Sequence, residues 1–299
     1  MAAQQDNITL GPVLCGTLVC NNLAEIVSAY TEYLGVTVCE EGQIDSLVAD
    51  AWGLPALARK PYVLMANQFG DPWVRFIEQP GCDISKPIST LGWMSLEVLV
   101  DDVYALAEKF KDSPFTIIGD PKPLDVSDGI EAFQATGPAG EVLYLTRVLR
   151  EVPPFDLPMP RCEVDRLFIP VLLVADRDES MALYAQLSNS KPLAFDTKVT
   201  VINNALGRNV DERMPIASIQ FSEQTFIEID EVKSLPMRPV TSCGLPSGIA
   251  MVSFLVDSLE AVDLPALGTV IQSETALYQG RKSALYLGTA GELIELIER

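Results

Sequence analysis

The stretch WMSLEVLVDDVYALAEKFK, residues 93–111, combines a strand pattern with a helix pattern. Apolar side chains alternate with others along SLEVLV, and this period is typical of a β-strand. Two aspartates follow, and Asp102 stands where its side chain could cap a helix formed by VYALAEKFK. The stretch therefore predicts a strand, a capped turn and a helix in immediate succession.

The same order recurs three more times along the chain, so we divide it into four modules. The other modules open with VLCGTLVCNN (13–22), FIPVLLVAD (168–176) and AMVSFLVDS (250–258). Asn22, Asp176 and Ser258 are the candidate helix caps there. Each module closes on a strand, and these closing strands are WVRFIEQ (73–79), EVLYLTR (141–147), TFIEIDE (225–231) and ELIELIE (292–298). The turns GPAGE (137–141) and GTAGE (288–292) precede two of them, where glycine permits a positive φ.

A proline-rich segment divides the chain near its middle. EVPPFDLPMPRC, residues 151–162, contains four prolines, which favour extended backbone and cannot donate to a sheet. It predicts a linker between a first domain, 1–150, holding modules one and two, and a second domain, 163–299, holding modules three and four. Both halves contain a glycine followed eight residues later by proline, in AWGLPALARKP (51–61) and ALGRNVDERMP (205–215), which indicates duplication of a two-module domain.

Composition excludes several classes of function. The chain of 299 residues contains no histidine, which rules out Ser-His-Asp and Cys-His triads and iron sites built on two histidines. Its 21 basic and 41 acidic residues give a net charge of −20, which disfavours nucleic acid and anionic membranes as partners. The six cysteines form no CxxC pair, so reduced thiols in a cytoplasmic protein are expected.

The four modules, in this order and on a duplicated chain, resemble the vicinal oxygen chelate superfamily of glyoxalases, bleomycin-resistance proteins and extradiol dioxygenases. The resemblance implies an α+β fold of four βαβββ modules paired into two half-barrel domains. It places the superfamily's metal-ligand positions at Cys15, Glu78, Ser95 and Tyr144 in the first domain and Ile169, Glu228, Met251 and Glu295 in the second. Neither set is a usual metal site, so we expect no metal and no cofactor.

The same positions supply the candidate site residues. Glu228 and Glu295 are expected to approach each other across the second half-barrel, where burial and mutual repulsion would raise one pKa. Glu78 and Tyr144 are the catalytic candidates of the first half-barrel, and Arg75 lies on the opposite side of the strand from Glu78. The predicted substrate-binding residues are Cys15, Ser95, Trp52, Trp93, Ile169 and Met251.

Two classes of function fit these features. One is a metal-independent lyase or isomerase that transfers a proton on a small, largely apolar carbonyl or aromatic compound. The alternative is a non-catalytic protein that binds or sequesters a small molecule, as in the bleomycin-resistance type. Both hypotheses predict a small-molecule ligand, and both are compatible with a homodimer. The residues do not fit an extradiol dioxygenase or a glyoxalase I.

Overall fold

The computed structural model describes residues 9–84, 86–124 and 127–299. Each predicted module folds as a strand, a helix or helical turn, and further strands. Module one comprises β1 (Leu10–Cys20), α1 (Leu23–Leu34), β2 (Thr37–Gln43), α2 (Ser46–Ala51), β3 (Pro61–Ala66) and β4 (Pro72–Glu78). Module two comprises β5 (Gly92–Val100), α3 (Val103–Phe110), β6 (Thr116–Leu124), β7 (Ser127–Thr136) and β8 (Val142–Val148).

The second half of the chain repeats this order. Module three comprises β9 (Val164–Val174), α4 (Arg177–Ser188), β10 (Leu193–Thr197), α5 (Thr200–Ala205), β11 (Met214–Gln220) and β12 (Phe226–Glu231). Module four comprises β13 (Gly248–Val256), β14 (Ile271–Gln272), β15 (Lys282–Leu287) and β16 (Leu293–Glu298). Single 3-10 turns lie at Pro55–Leu57, Ser222–Gln224 and Leu259–Ala261.

Three of the four predicted helix caps are confirmed. The side chains of Asn22, Asp102 and Asp176 each accept two backbone N–H groups from the first turn of α1, α3 and α4. The prediction for module four is wrong, because Ser258 makes no side-chain cap and only the 3-10 turn Leu259–Ala261 follows it. The sequence PALG at 265–268 contains one proline and one glycine, which favour a turn there over a continuous helix.

The strands form two eight-stranded sheets, as expected, but the modules pair differently from the prediction. The first half-barrel has the order β14-β15-β16-β13-β1-β4-β3-β2 and so joins module one to module four. The second half-barrel has the order β10-β11-β12-β9-β5-β8-β7-β6 and joins module two to module three. The expectation that neighbouring modules share a half-barrel is therefore wrong. Antiparallel pairing of β1 with β13 and of β5 with β9 links distant parts of the chain.

A common apolar core lies between the convex faces of the two sheets. It contains residues from both half-barrels, including Leu18, Leu96, Leu172 and Phe254, together with apolar residues of the helices. Gly16 of β1 is needed for this packing, because a Cβ there would lie 2.4 Å from a methyl carbon of Leu96. Burial of this core provides the main stabilising term of the fold.

Two buried tyrosine–glutamate pairs tie the half-barrels together. The Tyr30 hydroxyl of α1 donates to Glu141 at 2.6 Å, and the Tyr184 hydroxyl of α4 donates to Glu292 at 2.9 Å. The two glutamates end the predicted GPAGE and GTAGE turns, in which Gly140 and Gly291 have φ of 78° and 75°. Each pair joins a helix of one half-barrel to a turn of the other.

None of the helices in the described ranges is long and apolar enough to cross a membrane.

Candidate functional site

The sheet register defines which closing-strand residue of each module faces the concave interior. Four cross-strand pairs occupy equivalent positions: Thr17–Arg75, Glu97–Tyr144, Val171–Glu228 and Ser253–Glu295. The counterpart of Glu228 in module one is therefore Arg75, and the prediction that Glu78 corresponds to Glu228 is wrong. Because modules one and four share a half-barrel, Arg75 lies against Glu295. In the other half-barrel, Glu228 lies near Glu97 and Tyr144.

Glu78 lies outside the concave interior. It ends β4 and accepts the backbone N–H of Leu23 at 3.0 Å, at the beginning of α1. Glu231 and Glu298 do the same at Arg177 and Leu259. A carboxylate at a helix N-terminus satisfies a free N–H group and interacts favourably with the helix dipole. The geometry gives Glu78 a structural role and does not bring it to Tyr144.

A closed ion-pair network fills the centre of the first half-barrel. A guanidinium nitrogen of Arg75 lies 3.0 Å from a Glu295 carboxylate oxygen, and their side chains are 4% and 0% exposed. Tyr278 donates to Glu295 at 2.6 Å, and Ser253 donates to it at 2.5 Å. Burial disfavours the charge on Arg75, but the nearby Tyr278 and Glu295 raise its pKa overall. The expectation that Glu295 approaches Glu228 is wrong, since the two lie in different sheets.

Arg75 also donates hydrogen bonds to two other side chains. Its Nε donates to Thr17 at 3.0 Å and an Nη donates to Tyr278 at 2.8 Å. The guanidinium lies 5.1 Å from the ring centroid of Trp52, one of the predicted substrate-binding residues. A cavity of about 300 Å³ lies beside Trp52 and Arg75, under α2. The charges of Arg75 and Glu295 beside this cavity neutralise each other.

Two further predicted residues lie in this half-barrel. Cys15 is completely buried in its apolar interior, and burial raises the pKa of the thiol to about 12. Met251 places its sulfur 3.8 Å from a guanidinium nitrogen of Arg75. A thiol that stays protonated near neutral pH is not a nucleophile. Both side chains contribute packing around the ion pair.

The second half-barrel encloses a cavity of about 200 Å³ with a different wall. Its polar wall contains Glu97, Tyr144, Thr146 and Glu228. The apolar wall is rich in phenylalanine and includes Phe155, Phe168, Ile169, Phe195 and Phe226. A largely apolar pocket with a few convergent polar groups is the usual form of a small-molecule site.

Burial raises the pKa of the carboxyl groups in this half-barrel. Burial, followed by the nearby Glu228, raises the pKa of Glu97 to about 8, although Thr146 donates a hydrogen bond to it at 2.6 Å. Burial also raises the pKa of Glu228 to about 7. Asp230, two residues further along β12, has its pKa raised well above the usual range by burial and then by Glu228 and Glu97. One carboxylic acid and one carboxylate can therefore coexist here at neutral pH.

Several polar atoms around these carboxyls have no hydrogen-bond partner within the described residues. They are the Tyr144 hydroxyl, the Ser95 hydroxyl and both carboxyl oxygens of Asp230. Ser95 and Asp230 are completely buried and Tyr144 is 7% exposed. Burial of unpartnered polar groups is costly and calls for an explanation. Tyr144 lines the cavity, but its hydroxyl oxygen is itself buried, so other atoms of the residue form that part of the wall.

The donor sets of both half-barrels are unsuited to the metal that the fold family implies. The equivalent positions hold Cys15, Arg75, Met251 and Glu295 in one and Ser95, Tyr144, Ile169 and Glu228 in the other. An arginine cannot ligate a metal, and each set contains one carboxylate. Across the part of the chain that the structure describes, no group of three or more Cys, Asp or Glu side chains is placed to hold a metal ion.

Trp93 does not enter either concave interior. Its indole N–H donates to the carbonyl of Leu293 at 2.8 Å, and its ring packs against Tyr184 and Phe254 in the common core. It borders a small cavity of about 110 Å³ between the sheets. The geometry therefore gives Trp93 a packing role away from Glu228 and Tyr144.

Sequence reasoning missed Glu97, Asp230 and the inward orientation of Arg75. A signal was present: Glu97 lies two residues after Ser95, and Asp230 lies two residues after Glu228. Since side chains two residues apart share one face of a strand, both acids had to face the same interior as the predicted residues.

The raised pKa values predict that stability decreases with increasing pH. Glu97 and Glu228 bind protons more tightly in the folded than in the unfolded chain, where their pKa is near 4.5. Their protonated forms therefore add stability that is complete below about pH 4.5 and is lost as the pH rises through about 7 to about 8. Urea unfolding should give a lower free energy of unfolding at high than at low pH across this window.

Glu97→Gln should flatten that pH profile, because it removes the group with the higher of the two pKa values. Glu231→Gln, on the same strand as Glu228 but outside the cavity, should leave the slope unchanged. A wild-type stability that rises through the same window would contradict the assignment of protons to these carboxyls.

Comparisons with known proteins support the architecture. No protein-family model matches the chain, and no curated protein matches its sequence. Glyoxalase I from Zea mays has 19% identity over 98% of this chain and 94% of its own, with a TM-score of 0.63. A point variant of that enzyme has 20% identity over 98% of this chain and 95% of its own, with a TM-score of 0.64.

A putative dioxygenase from Bacillus subtilis has 10% identity over 97% of this chain and 86% of its own, with a TM-score of 0.64. At this level of identity the likenesses concern the fold alone. The chain has the vicinal oxygen chelate fold, as the sequence predicted.

Proposed function

We propose that the second half-barrel binds a small, largely apolar carbonyl compound and transfers a proton on it without a metal, as a lyase or isomerase does. The observation that supports this proposal is the pair Glu97 and Glu228, whose pKa values are raised to about 8 and about 7, close to neutral pH, in a largely apolar cavity. Two carboxyls of this kind supply a general acid and a general base from the same site.

The positions of the side chains suggest their roles. Glu228, with the lower pKa, is the base that removes a proton from the carbon next to the carbonyl. Glu97, with the higher pKa, keeps its proton and donates it to the carbonyl oxygen, giving an enol. Tyr144 lies directly across from Glu97 on β8 and forms part of the cavity wall. Burial and the three acids raise its pKa well above the usual range, so its hydroxyl remains a donor.

The size of the cavity limits the substrate. About 200 Å³ is somewhat more than the ~150 Å³ of an apolar cavity that holds one benzene molecule. Phe155, Phe168, Phe195 and Phe226 favour an aromatic or aliphatic body of that size. The first half-barrel is less suited to proton transfer, because Arg75 and Glu295 neutralise each other there.

Deuterium exchange tests the proposal without knowledge of the natural substrate. Cyclohexanone, acetophenone and phenylacetone are incubated with the protein in deuterium oxide, and proton NMR follows the loss of the hydrogens next to the carbonyl. The wild-type protein should accelerate this loss for at least one ketone. Ser218→Phe should abolish the acceleration, because Ser218 lies opposite Glu228 on β11 and its replacement fills the cavity.

Thr275→Phe is the matched control, since Thr275 lines the cavity of the first half-barrel. It should leave the exchange rate unchanged. Exchange that is lost in the Thr275 variant and retained in the Ser218 variant would move the chemistry to the first half-barrel. Binding of these ketones without any exchange would favour the non-catalytic binding function.

A further inference from the structure

A small cavity opens between the two half-barrels, beside the connection from β12 to β13 (residues 232–247). Its volume is about 110 Å³, and it lies outside both concave interiors. Its floor is apolar and buried, and includes Trp93, Ile249 and Leu293. The rim carries three apolar side chains that are 45–66% exposed: Met237, Val240 and Leu287. Exposed apolar residues scattered singly are ordinary, but three around one cavity indicate a binding surface.

Arg238 brings a positive charge to this cavity. It is one of the lining residues and is partly buried. Its guanidinium donates to the Thr90 hydroxyl at 2.9 Å and to the carbonyls of Ile249 and Trp93 at 2.8 and 2.7 Å. All three acceptors are neutral, and a guanidinium has five N–H groups. These bonds therefore neither neutralise the charge of Arg238 nor use all of its donors.

No carboxylate among the residues that the structure describes compensates this charge, and burial lowers the pKa of Arg238 to about 10. Arg75, in the first half-barrel, differs because Glu295 lies 3.0 Å from it. Glu292 also borders the cavity, but its carboxyl accepts the Tyr184 hydroxyl at 2.9 Å. A partly buried cation without an anion is costly, which favours an anionic partner from outside the chain.

We infer that this cavity binds a small organic carboxylate, whose anionic end lies against Arg238 and whose short apolar chain lies across the exposed apolar rim. A carboxylate accepts the N–H groups of a guanidinium in a planar, charge-assisted pair. The volume of about 110 Å³ is less than the ~150 Å³ of a cavity that encloses benzene, which favours a short chain over a ring. The site is separate from the second half-barrel, so the inference does not depend on the function proposed there.

Calorimetric titration with four compounds at low ionic strength tests the inference. The titrations are run at pH 6, below the pKa of about 7 to which burial raises Glu292, so that this acid is mostly neutral. Hexanoate should bind at least about 10-fold more tightly than hexanol or hexylammonium, which have a similar chain without the negative charge. It should also bind at least about 10-fold more tightly than acetate, because each buried methylene contributes about 4-fold.

Substitutions at Arg238 and at the rim locate the binding. Arg238→Gln should lower the affinity for hexanoate at least about 10-fold, because it removes the positive charge. Val240 is 66% exposed, so a new charge there should leave the fold intact. Val240→Asp should lower the affinity about 3-fold and Val240→Lys should raise it about 3-fold, as an exposed charge near an anion does. Val210→Asp, at an exposed position outside the cavity lining, should leave it unchanged.

Several results would overturn the inference. Equal affinities for hexanoate, hexanol and hexylammonium would do so, as would binding of none of the four compounds. A loss of affinity in Arg238→Gln with no effect of either charge at Val240 would mean that the arginine acts on the fold and not on the ligand. Ser218→Phe, which fills the second half-barrel, should leave hexanoate binding unchanged. Loss of binding in that variant would place the carboxylate in the second half-barrel and remove the site at Arg238.

Discussion

Glu228→Gln is expected to lower the rate of ketone hydrogen exchange by about 10²–10⁴-fold, the usual contribution of a positioned general base. Glutamine has the shape of glutamate but cannot accept the substrate proton near neutral pH. Glu228 is partly exposed toward the cavity, so the substitution buries no new charge and should leave the fold intact. Proton NMR of the same ketones in deuterium oxide measures the effect.

Two controls define the role of Glu228. Glu231→Gln should retain the wild-type rate, because Glu231 faces α4 and accepts the N–H of Arg177 at 3.1 Å. Glu97→Gln should also lower the rate, and it should move the alkaline limb of the pH–rate profile, since Glu97 is the proposed acid. If Glu228→Gln exchanged as fast as the wild type, the base would have to be another residue.

Glu295→Gln is expected to destabilise the protein by about 3–5 kcal/mol, the usual cost of removing one partner of a buried ion pair. Arg75 would remain in the interior with its side chain 4% exposed and without a carboxylate partner. Tyr278 and Ser253, which donate to Glu295, would also lose an anionic acceptor. The free energy of urea unfolding measures the loss.

Removing both charges provides the matched comparison. The double variant Arg75→Met, Glu295→Leu should be more stable than Glu295→Gln alone, because no unpaired charge is left behind. The same Glu-to-Gln change in the other half-barrel, Glu228→Gln, should leave the free energy of unfolding at pH 8 nearly unchanged or increase it. It removes a carboxylate that has no cationic partner within the described residues. A loss below about 1 kcal/mol for Glu295→Gln would show that Arg75 reaches water or another anion.

Local patterns were sufficient to predict the modules. The alternation in WMSLEVLVDD and its three counterparts identified β1, β5, β9 and β13, and the caps Asn22, Asp102 and Asp176 identified the helices. These features depend on neighbouring residues only. The pairing of modules depends on contacts between β1 and β13, more than 200 residues apart along the chain, and no local pattern specifies such a partner.

The alignment of the closing strands shows the same limit of local patterns. Tyr144, Glu228 and Glu295 lie at equivalent positions of their strands. The sequence pattern instead aligns Glu78 with Glu228, because Glu78 is the acid near the end of WVRFIEQ. TFIEIDE contains three acids, and only the structure separates Glu228 from Glu231, which is the true equivalent of Glu78. The shift of three residues placed Arg75 outside the site and hid the ion pair.

The charge states of Glu97 and Glu228 are the most direct test of an acid–base pair in the second half-barrel. Carbon-13 NMR of glutamate side-chain carboxyls, with the two resonances assigned by their loss in Glu97→Gln and Glu228→Gln, gives each titration midpoint. We expect midpoints near pH 8 for Glu97 and near pH 7 for Glu228 in the free protein. Midpoints near 4.5, the ordinary glutamate value, would mean that both carboxyls are solvated or paired, and would contradict an acid–base pair in the second half-barrel.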